Sequence, residues 1–228
     1  MSDADAQKRA AGEAAAGLVE AGMVVGLGTG STAVWFVKAL AGRGLDVICV
    51  STSVATADLA RDLGLKLADL GEVREIDLTV DGADEIGPGL SLIKGAGGAL
   101  LREKLVWEAS RRCVTIADAA KRVPVLGQFP LSVEVVAFGH QSTSLRICDA
   151  LTECDIGAAP RLRARDGATF HTDSGNVIYD IACGRIEDPA ALASALKSVT
   201  GVVEHGLFLD LADLALIGTP DGVVSLEP

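Results

Sequence analysis

Three loops rich in glycine, hydroxyl groups and carboxylates each follow a short apolar run: GLGTGST at 26–32, DGADE at 81–85 and KGAGG at 94–98. Apolar runs of this length suit strands buried on both faces of a parallel sheet, and such a sheet delivers the loops after its strands to one edge, where ligands of open α/β folds bind. One site assembled from separate stretches of chain is therefore expected.

The rest of the chain fits that expectation in its first half. An Ala-rich helix precedes a strand at 23–27, the first glycine loop and a helix over 32–40. A strand at 47–50, a helix near 56–63 and short strands at 65–67 and 78–80 follow. Alternation of this kind marks a doubly wound, Rossmann-like and mostly parallel sheet. Strands at 92–93 and 114–116, with a helix over 99–111 between them, are expected to extend it.

After Pro124 the order becomes strand 133–138, helix 142–153, strand 161–164, an HTDSGN turn, strand 177–182, helix 189–197 and strand 201–204. This βαββαβ order predicts a small ferredoxin-like α+β unit of roughly 70 residues. The final stretch, ADLALIGTPDGVVSLEP, reads as strands returning to the first unit. The expected division is thus a Rossmann-like catalytic domain of residues 1–128 and 205–228, with a small α+β domain of 129–204.

With 228 residues the chain is long enough for one good core and a smaller second one. Its formal net charge of −11 argues against nucleic acid or an anionic membrane surface, both of which call for a basic face. An anionic ligand would instead need lysines and backbone N–H groups placed locally. The first 22 residues carry early acids and no continuous apolar stretch, so neither a signal peptide nor a membrane span is expected, and the cytoplasm is the expected location. Cys49, Cys113, Cys148, Cys154 and Cys183 form no CxxC pair and are odd in number, which reads as reduced structural thiols. His140, His171 and His205 lack metal-ligand spacing, so no metal is expected.

Glycines between a strand and a helix let backbone N–H groups approach a phosphate, and the helix N-terminus adds partial positive charge. Thr29, Ser31 and Thr32 contribute hydroxyls to such a loop. Gly28-x-Gly30-x-x-Ala33 also satisfies the relaxed dinucleotide fingerprint, but Ser51, Thr52 and Ser53 stand where a ribose-binding carboxylate would end the second strand. Phosphate binding, dinucleotide binding and a plain tight turn all remain open on this motif; a Walker loop does not, since no GK[ST] follows. Asp81 and Asp84 flank a Gly-Ala turn, where they either converge on a small ligand or form an Asx turn or helix cap.

Lys94 ends its strand beside three glycines, and reads either as a ligand-binding ammonium or as a solvated lysine. Glu103 has Ala99, Leu100, Val106 and Trp107 at three- and four-residue spacing, which suggests the buried stripe of its helix. Burial there would raise a carboxylate's proton affinity toward the range of a general base. Arg102 has comparably apolar neighbours, so periodicity does not choose between the two. Together these groups suit a metal-free acid/base enzyme acting on a phosphorylated polyol.

The segments GLGTGSTA, STS, VDGADEI, KGAGGALLREK, IADAAKRV, FPLSVEV, TDSGNVIYD and ALIGTPDGV occur in an order that resembles the ribose-5-phosphate isomerase A family over essentially the whole chain. Ala96 stands where many relatives carry glycine. The resemblance implies interconversion of D-ribose 5-phosphate and D-ribulose 5-phosphate in the non-oxidative branch of the pentose phosphate pathway. It also implies no metal or organic cofactor and a homo-oligomer, a dimer first.

It assigns Glu103 as the base that moves a proton between C2 and C1 through a cis-enediol. Asp81 and Lys94, with Asp84 nearby, would manage the oxygen protons and the developing oxyanion. The implied binding set is Thr29, Gly30, Ser31 and Thr32; Asp81, Gly82, Ala83 and Asp84; Lys94, Gly95, Ala96 and Gly97; and Lys121, with Lys8 a weaker candidate for the phosphate end. Related sugar-phosphate deaminases and lactonases typically carry a histidine where this chain has Ala83. A sugar-phosphate effector module of a transcriptional regulator would bring a DNA-binding helix-turn-helix and a basic face, which this acidic chain lacks.

Overall fold

In the computed structural model, which describes residues 2–228, the chain divides into two compact units. Unit 1 comprises the described residues to 83, 102–122 and 210–228; unit 2 comprises 84–101 and 123–209. Asp84–Leu101 groups with unit 2 because its two short strands join a sheet of that unit.

Unit 1 is built on one sheet. Strands β1 (Val24–Leu27), β2 (Ile48–Ser51), β3 (Lys66–Leu67), β4 (Leu78–Gly82), β7 (Cys113–Asp118) and β15 (Leu214–Thr219) run parallel, and β16 (Gly222–Leu226) pairs antiparallel with β15 at the edge. The order is β16-β15-β7-β4-β1-β2-β3. Read from β3 through β15, this is the 3-2-1-4-5-6 order of the Rossmann-like sheet. Chain direction across the sheet reverses between β1 and β4, so the loops that follow these two strands flank the switch point where such folds bind ligands.

Near-continuous apolar runs make these strands. Val25, Leu27, Cys49, Val80, Val114 and Ile116 lie in one core with Phe36, Val37 and Leu40 of α2 (Ala33–Gly42) and with Ala11, Ala15 and Ala16 of α1 (Asp3–Ala16). The small residues of α1 permit close approach: a Cβ at Gly12 would stand 2.7 Å from the Phe36 nitrogen. α3 (Val54–Asp62) is N-capped by Ser53, whose hydroxyl accepts the Thr56 N–H. α4 (Leu100–Glu108) supplies buried Val106 and Trp107.

Unit 2 has a four-stranded antiparallel sheet in the order β13-β8-β12-β9, formed by β8 (Leu131–Val135), β9 (Arg161–Leu162), β12 (Val177–Ile181) and β13 (Val202–His205). With α5 (His140–Glu153) after β8 and α6 (Pro189–Ser198) after β12, the arrangement is ferredoxin-like. Leu131, Val133, Val135, Tyr179 and Ile181 pack with Ile147, Leu151, Leu192 and Leu196 of the two helices. A small hairpin, β10 (Ala164–Arg165) with β11 (Ala168–Thr169), rises between β9 and β12.

One expected strand is placed differently. Leu92–Ile93 (β6) does not extend the parallel sheet; it pairs antiparallel with β5 (Glu85–Ile86) and with β14 (Leu207–Phe208) in a separate three-stranded sheet of unit 2. Two apolar residues carry no readable period, and the partner strand lies over 100 positions away. No helix among the described residues is long and apolar enough to cross a membrane.

Candidate active site

In unit 1 the first glycine loop leaves β1 and meets the end of β4. Gly28 donates its N–H to the Val80 carbonyl at 2.9 Å, and any Cβ at Gly28 would run into the Asp81 carboxylate and backbone. Asp81 is fully buried, and its Oδ1 accepts two backbone N–H groups, from Thr29 at 3.0 Å and Gly82 at 2.7 Å. One carboxylate thus ties the GLGTGST loop to the DGADE turn. Two amide donors on one oxygen fix the plane of the group.

Beneath the loop lies a cluster of hydroxyls. Thr29 Oγ1 is 2.8 Å from Thr52 Oγ1, 2.8 Å from Ser53 Oγ and 3.1 Å from Thr56 Oγ1. Thr56 Oγ1 in turn donates to the Gly28 carbonyl. The STS segment that replaces a ribose-binding carboxylate therefore serves to hold Thr29 in place. The lack of the carboxylate was legible; the hydroxyls' engagement with Thr29 was not, because the partners lie 23–27 positions away.

The N-terminal helix adds a lysine. Lys8 Nζ donates to Ser31 Oγ at 3.1 Å, while the neighbouring Gln7 Oε1 accepts the Ala119 N–H at 3.1 Å. Ala119–Lys121 is a single 3₁₀ turn after β7, capped by Asp118, whose carboxylate accepts the Ala120 N–H. The start of α1 thus touches both the Ser31 loop and the Lys121 turn, placing Lys8 and Lys121 at the same edge of unit 1. Thr32 is buried at the start of α2, with Gly30 and Ser31 exposed.

α4 resolves the choice that periodicity left open. Glu103 is 4% exposed and Arg102 half-buried, so the glutamate occupies the buried stripe. Lys104, 8% exposed, is buried as well, which the spacing did not suggest.

The other expected site residues belong to unit 2: Asp84, Lys94, Gly95, Ala96 and Gly97. Asp81 and Asp84 are thus counted in different units, and Gly82 and Ala83 fall with Asp81. Asp84 Oδ2 accepts the Ala96 N–H at 2.9 Å, and its own N–H donates to the Ile93 carbonyl. Lys94 is buried, its N–H donates to the Gly206 carbonyl at 2.9 Å, and its ammonium stands 5.4 Å from the centroid of the Phe208 ring. Gly95 has φ +122°, a conformation glycine adopts readily, and a Cβ there would stand 2.7 Å from that of Ser132.

The KGAGG loop is held from below by a residue the sequence did not single out. Arg163 Nη1 donates to the Gly95 carbonyl at 2.8 Å and to the Ala96 carbonyl at 3.2 Å. Its Nη2 donates to Ser132 Oγ at 2.7 Å and to Asp180 Oδ1, and its Nε to Asp180 Oδ2 at 2.8 Å. Among the described residues no group of three or more His, Cys, Asp or Glu side chains is placed to hold a metal ion.

The sequence profile of ribose 5-phosphate isomerase A (phosphoriboisomerase A) matches residues 48–222. The chain belongs to this family. A second profile, the DeoR C-terminal sensor domain, matches residues 3–83. The ribose-5-phosphate isomerase A of Caulobacter vibrioides (strain NA1000 / CB15N) is 70% identical over 226 residues, 99% of each chain, and that of Dinoroseobacter shibae is 50% identical over 232 residues, all of this chain and 89% of that one. Among solved structures, ribose 5 phosphate isomerase A from Neisseria gonorrhoeae superposes with a TM-score of 0.92 at 36% identity, covering 100% of this chain and 99% of that one. A D-ribose-5-phosphate isomerase in complex with phospho-erythronic acid gives 0.91 at 36% identity over the whole of both chains. The α/β fold is that of the ribose 5-phosphate isomerase A family.

Proposed function

We infer that this chain is an aldose-ketose isomerase that interconverts D-ribose 5-phosphate and D-ribulose 5-phosphate, a reaction of the non-oxidative pentose phosphate pathway. The observation that carries the reading is the buried Glu103 on α4 in a member of the family. From the open-chain aldose, the Glu103 carboxylate takes the proton on C2; the electron pair moves into a C1–C2 double bond and the carbonyl electrons onto O1. O1 gains a proton as O2 loses one, and Glu103 returns its proton to C1, leaving the ketone at C2. The net change moves one hydrogen from C2 to C1 and one from O2 to O1, with no oxidant or reductant required.

A carbon acid of this kind needs a positioned base and a stabilised enediolate. Asp81 and Asp84 serve the oxygen protons, and the Lys94 ammonium with the Gly95, Ala96 and Gly97 backbone stabilises the oxyanion. Thr29, Gly30, Ser31, Thr32 and Lys121, with Lys8, bind the phosphate, as suits an acidic chain that must concentrate positive potential locally. Gly82 and Ala83 line the turn between the two aspartates. A solved relative is described in complex with phospho-erythronic acid, a ligand that pairs a phosphate with a carboxylate whose planar charge resembles an enediolate, which suits a site for an isomerising sugar phosphate. A homo-oligomer, dimeric in the first instance, follows from the resemblance.

The DeoR-type sensor match suggests sugar-phosphate sensing as a second reading. It stops at Ala83, ahead of Lys94 and Glu103, which a sensor has no need to supply. Incubation with ribose 5-phosphate in excess EDTA separates the two. Ketose should accumulate at the undiminished rate; binding without turnover would support the sensor, and turnover restored only by a divalent ion would overturn the metal-free mechanism.

A further inference from the structure

We propose that Arg163 is a positioning residue for isomerisation, setting the direction in which the KGAGG loop presents its N–H groups and Lys94. The proposal rests on the reading of that loop as substrate-binding. Arg163 is assigned no role by the family likeness. By sequence it is one of three arginines in RLRARD, at the margin of a small exposed hairpin.

The geometry singles it out. A guanidinium has five N–H donors in a fixed plane, and those of Arg163 meet five acceptor atoms: both Asp180 oxygens, the Ser132 hydroxyl, and the carbonyls of Gly95 and Ala96. Its side chain is 13% exposed although Arg161 and Arg165 on either side are exposed. Ser132 Oγ also donates to Asp180 Oδ1 at 3.1 Å, so the carboxylate that anchors the guanidinium is itself anchored to β8. The Phe170 ring lies 5.8 Å from the guanidinium carbon.

Orientation of the loop follows from peptide geometry. In a trans peptide the C=O of one residue and the N–H of the next point in opposite directions. Drawing the Gly95 carbonyl onto Arg163 therefore turns the Ala96 N–H away from it, and that N–H meets Asp84 Oδ2. Drawing the Ala96 carbonyl onto the same guanidinium likewise turns the Gly97 N–H away from it. The Ala96 donor thus lies on the face bearing Asp84, and the Gly95 carbonyl, which also accepts the Gly98 N–H at 3.0 Å, is fixed from both sides. A cation on the two carbonyl oxygens also polarises their peptides, making the N–H groups stronger donors to developing negative charge. Lys94, one residue before, is held by the same loop.

Arg163→Lys tests the assignment, because lysine keeps a charge for Asp180 but lacks the planar fork that bridges two carbonyls and Ser132. Arg163→Ala and Asp180→Asn extend the series. The expected result for Arg163→Lys is a cooperative melt near that of the wild type and a loss of about 10- to 100-fold in kcat/KM, the size expected when a reacting group is misplaced by about 1 Å. The loss should lie mainly in kcat, and phospho-erythronic acid should bind weaker by a similar factor while KM for ribose 5-phosphate moves little. Millimolar guanidinium ion should restore part of the activity of Arg163→Ala, an effect a merely structural arginine would not give. A folded Arg163→Lys enzyme with kcat, KM and phospho-erythronic acid affinity within twofold of the wild type overturns the proposal if Glu103→Gln is inactive in the same assay. If Glu103→Gln is active, the site reading fails first and takes this assignment with it.

Discussion

Asp81 and Glu103 show how far single residues can be read from sequence. Asp81 was legible as a carboxylate at a strand end, while its two amide donors and the overlap a Cβ at Gly28 would cause are visible only in three dimensions. Glu103 and Arg102 were equal by periodicity, and burial separates them. Arg163 was hidden, since its acceptors lie 17 to 68 positions away and its arginine neighbours look the same in sequence. Lys121 carries a prediction at this scale. It sits on the turn linked to α1 through Gln7, beside the Lys8 and Ser31 edge. If it grips the phosphate in ground and transition states alike, Lys121→Ala raises KM for ribose 5-phosphate more than it lowers kcat. Steady-state kinetics with KM unchanged would remove it from the site.

At the scale of elements, most strands were legible, the short β3 among them, and β6 was an exception. The strands around the first glycine loop and the βαββαβ order of unit 2 follow from apolar runs and turn residues, whereas β6 sits in a separate sheet through a long-range pairing with β14 that no local pattern encodes. The buried strands also carry a pH dependence. Cys49 on β2 and Cys113 on β7 sit in apolar surroundings that push both thiols up to about 12, against about 9 for an ordinary thiol; near Cys113 the Asp213 carboxylate adds to the effect of burial. A raised thiol pKa means the unfolded chain releases its proton first as pH climbs. The stabilisation is complete below about pH 9 and is lost between about 9 and 12, at up to roughly 1.4 kcal/mol per pH unit for each thiol. Denaturant melts across that range should show the loss, and a Cys49→Val, Cys113→Val variant should show a shallower one. Equal slopes would refute the assignment. Native protein at pH 8 should likewise alkylate at half-buried Cys148 well before Cys49 or Cys113, as mass spectrometry of the peptides would report.

For the molecule as a whole, the α/β class and the family were legible because the motifs are long and occur in order, whereas the excursion of 84–101 into unit 2, before the chain returns to unit 1 at 102, rests on long-range strand pairing. Sedimentation equilibrium should return a multiple of the chain mass of 23.3 kDa, two being expected, and a single-chain mass at micromolar concentration would count against the oligomer. The chemistry rests on one carbon base, and NMR of ribose 5-phosphate in D₂O tests it most directly. Wild type should place deuterium at C2 of recovered aldose and C1 of ketose as it turns over. Glu103→Gln keeps the size of the side chain and removes the base, so isomerisation and exchange should both fall by at least about 10² to 10⁴-fold while phospho-erythronic acid still binds. A Glu103→Gln enzyme that isomerises and exchanges at near wild-type rates would contradict the mechanism and move the carbon base to Asp81.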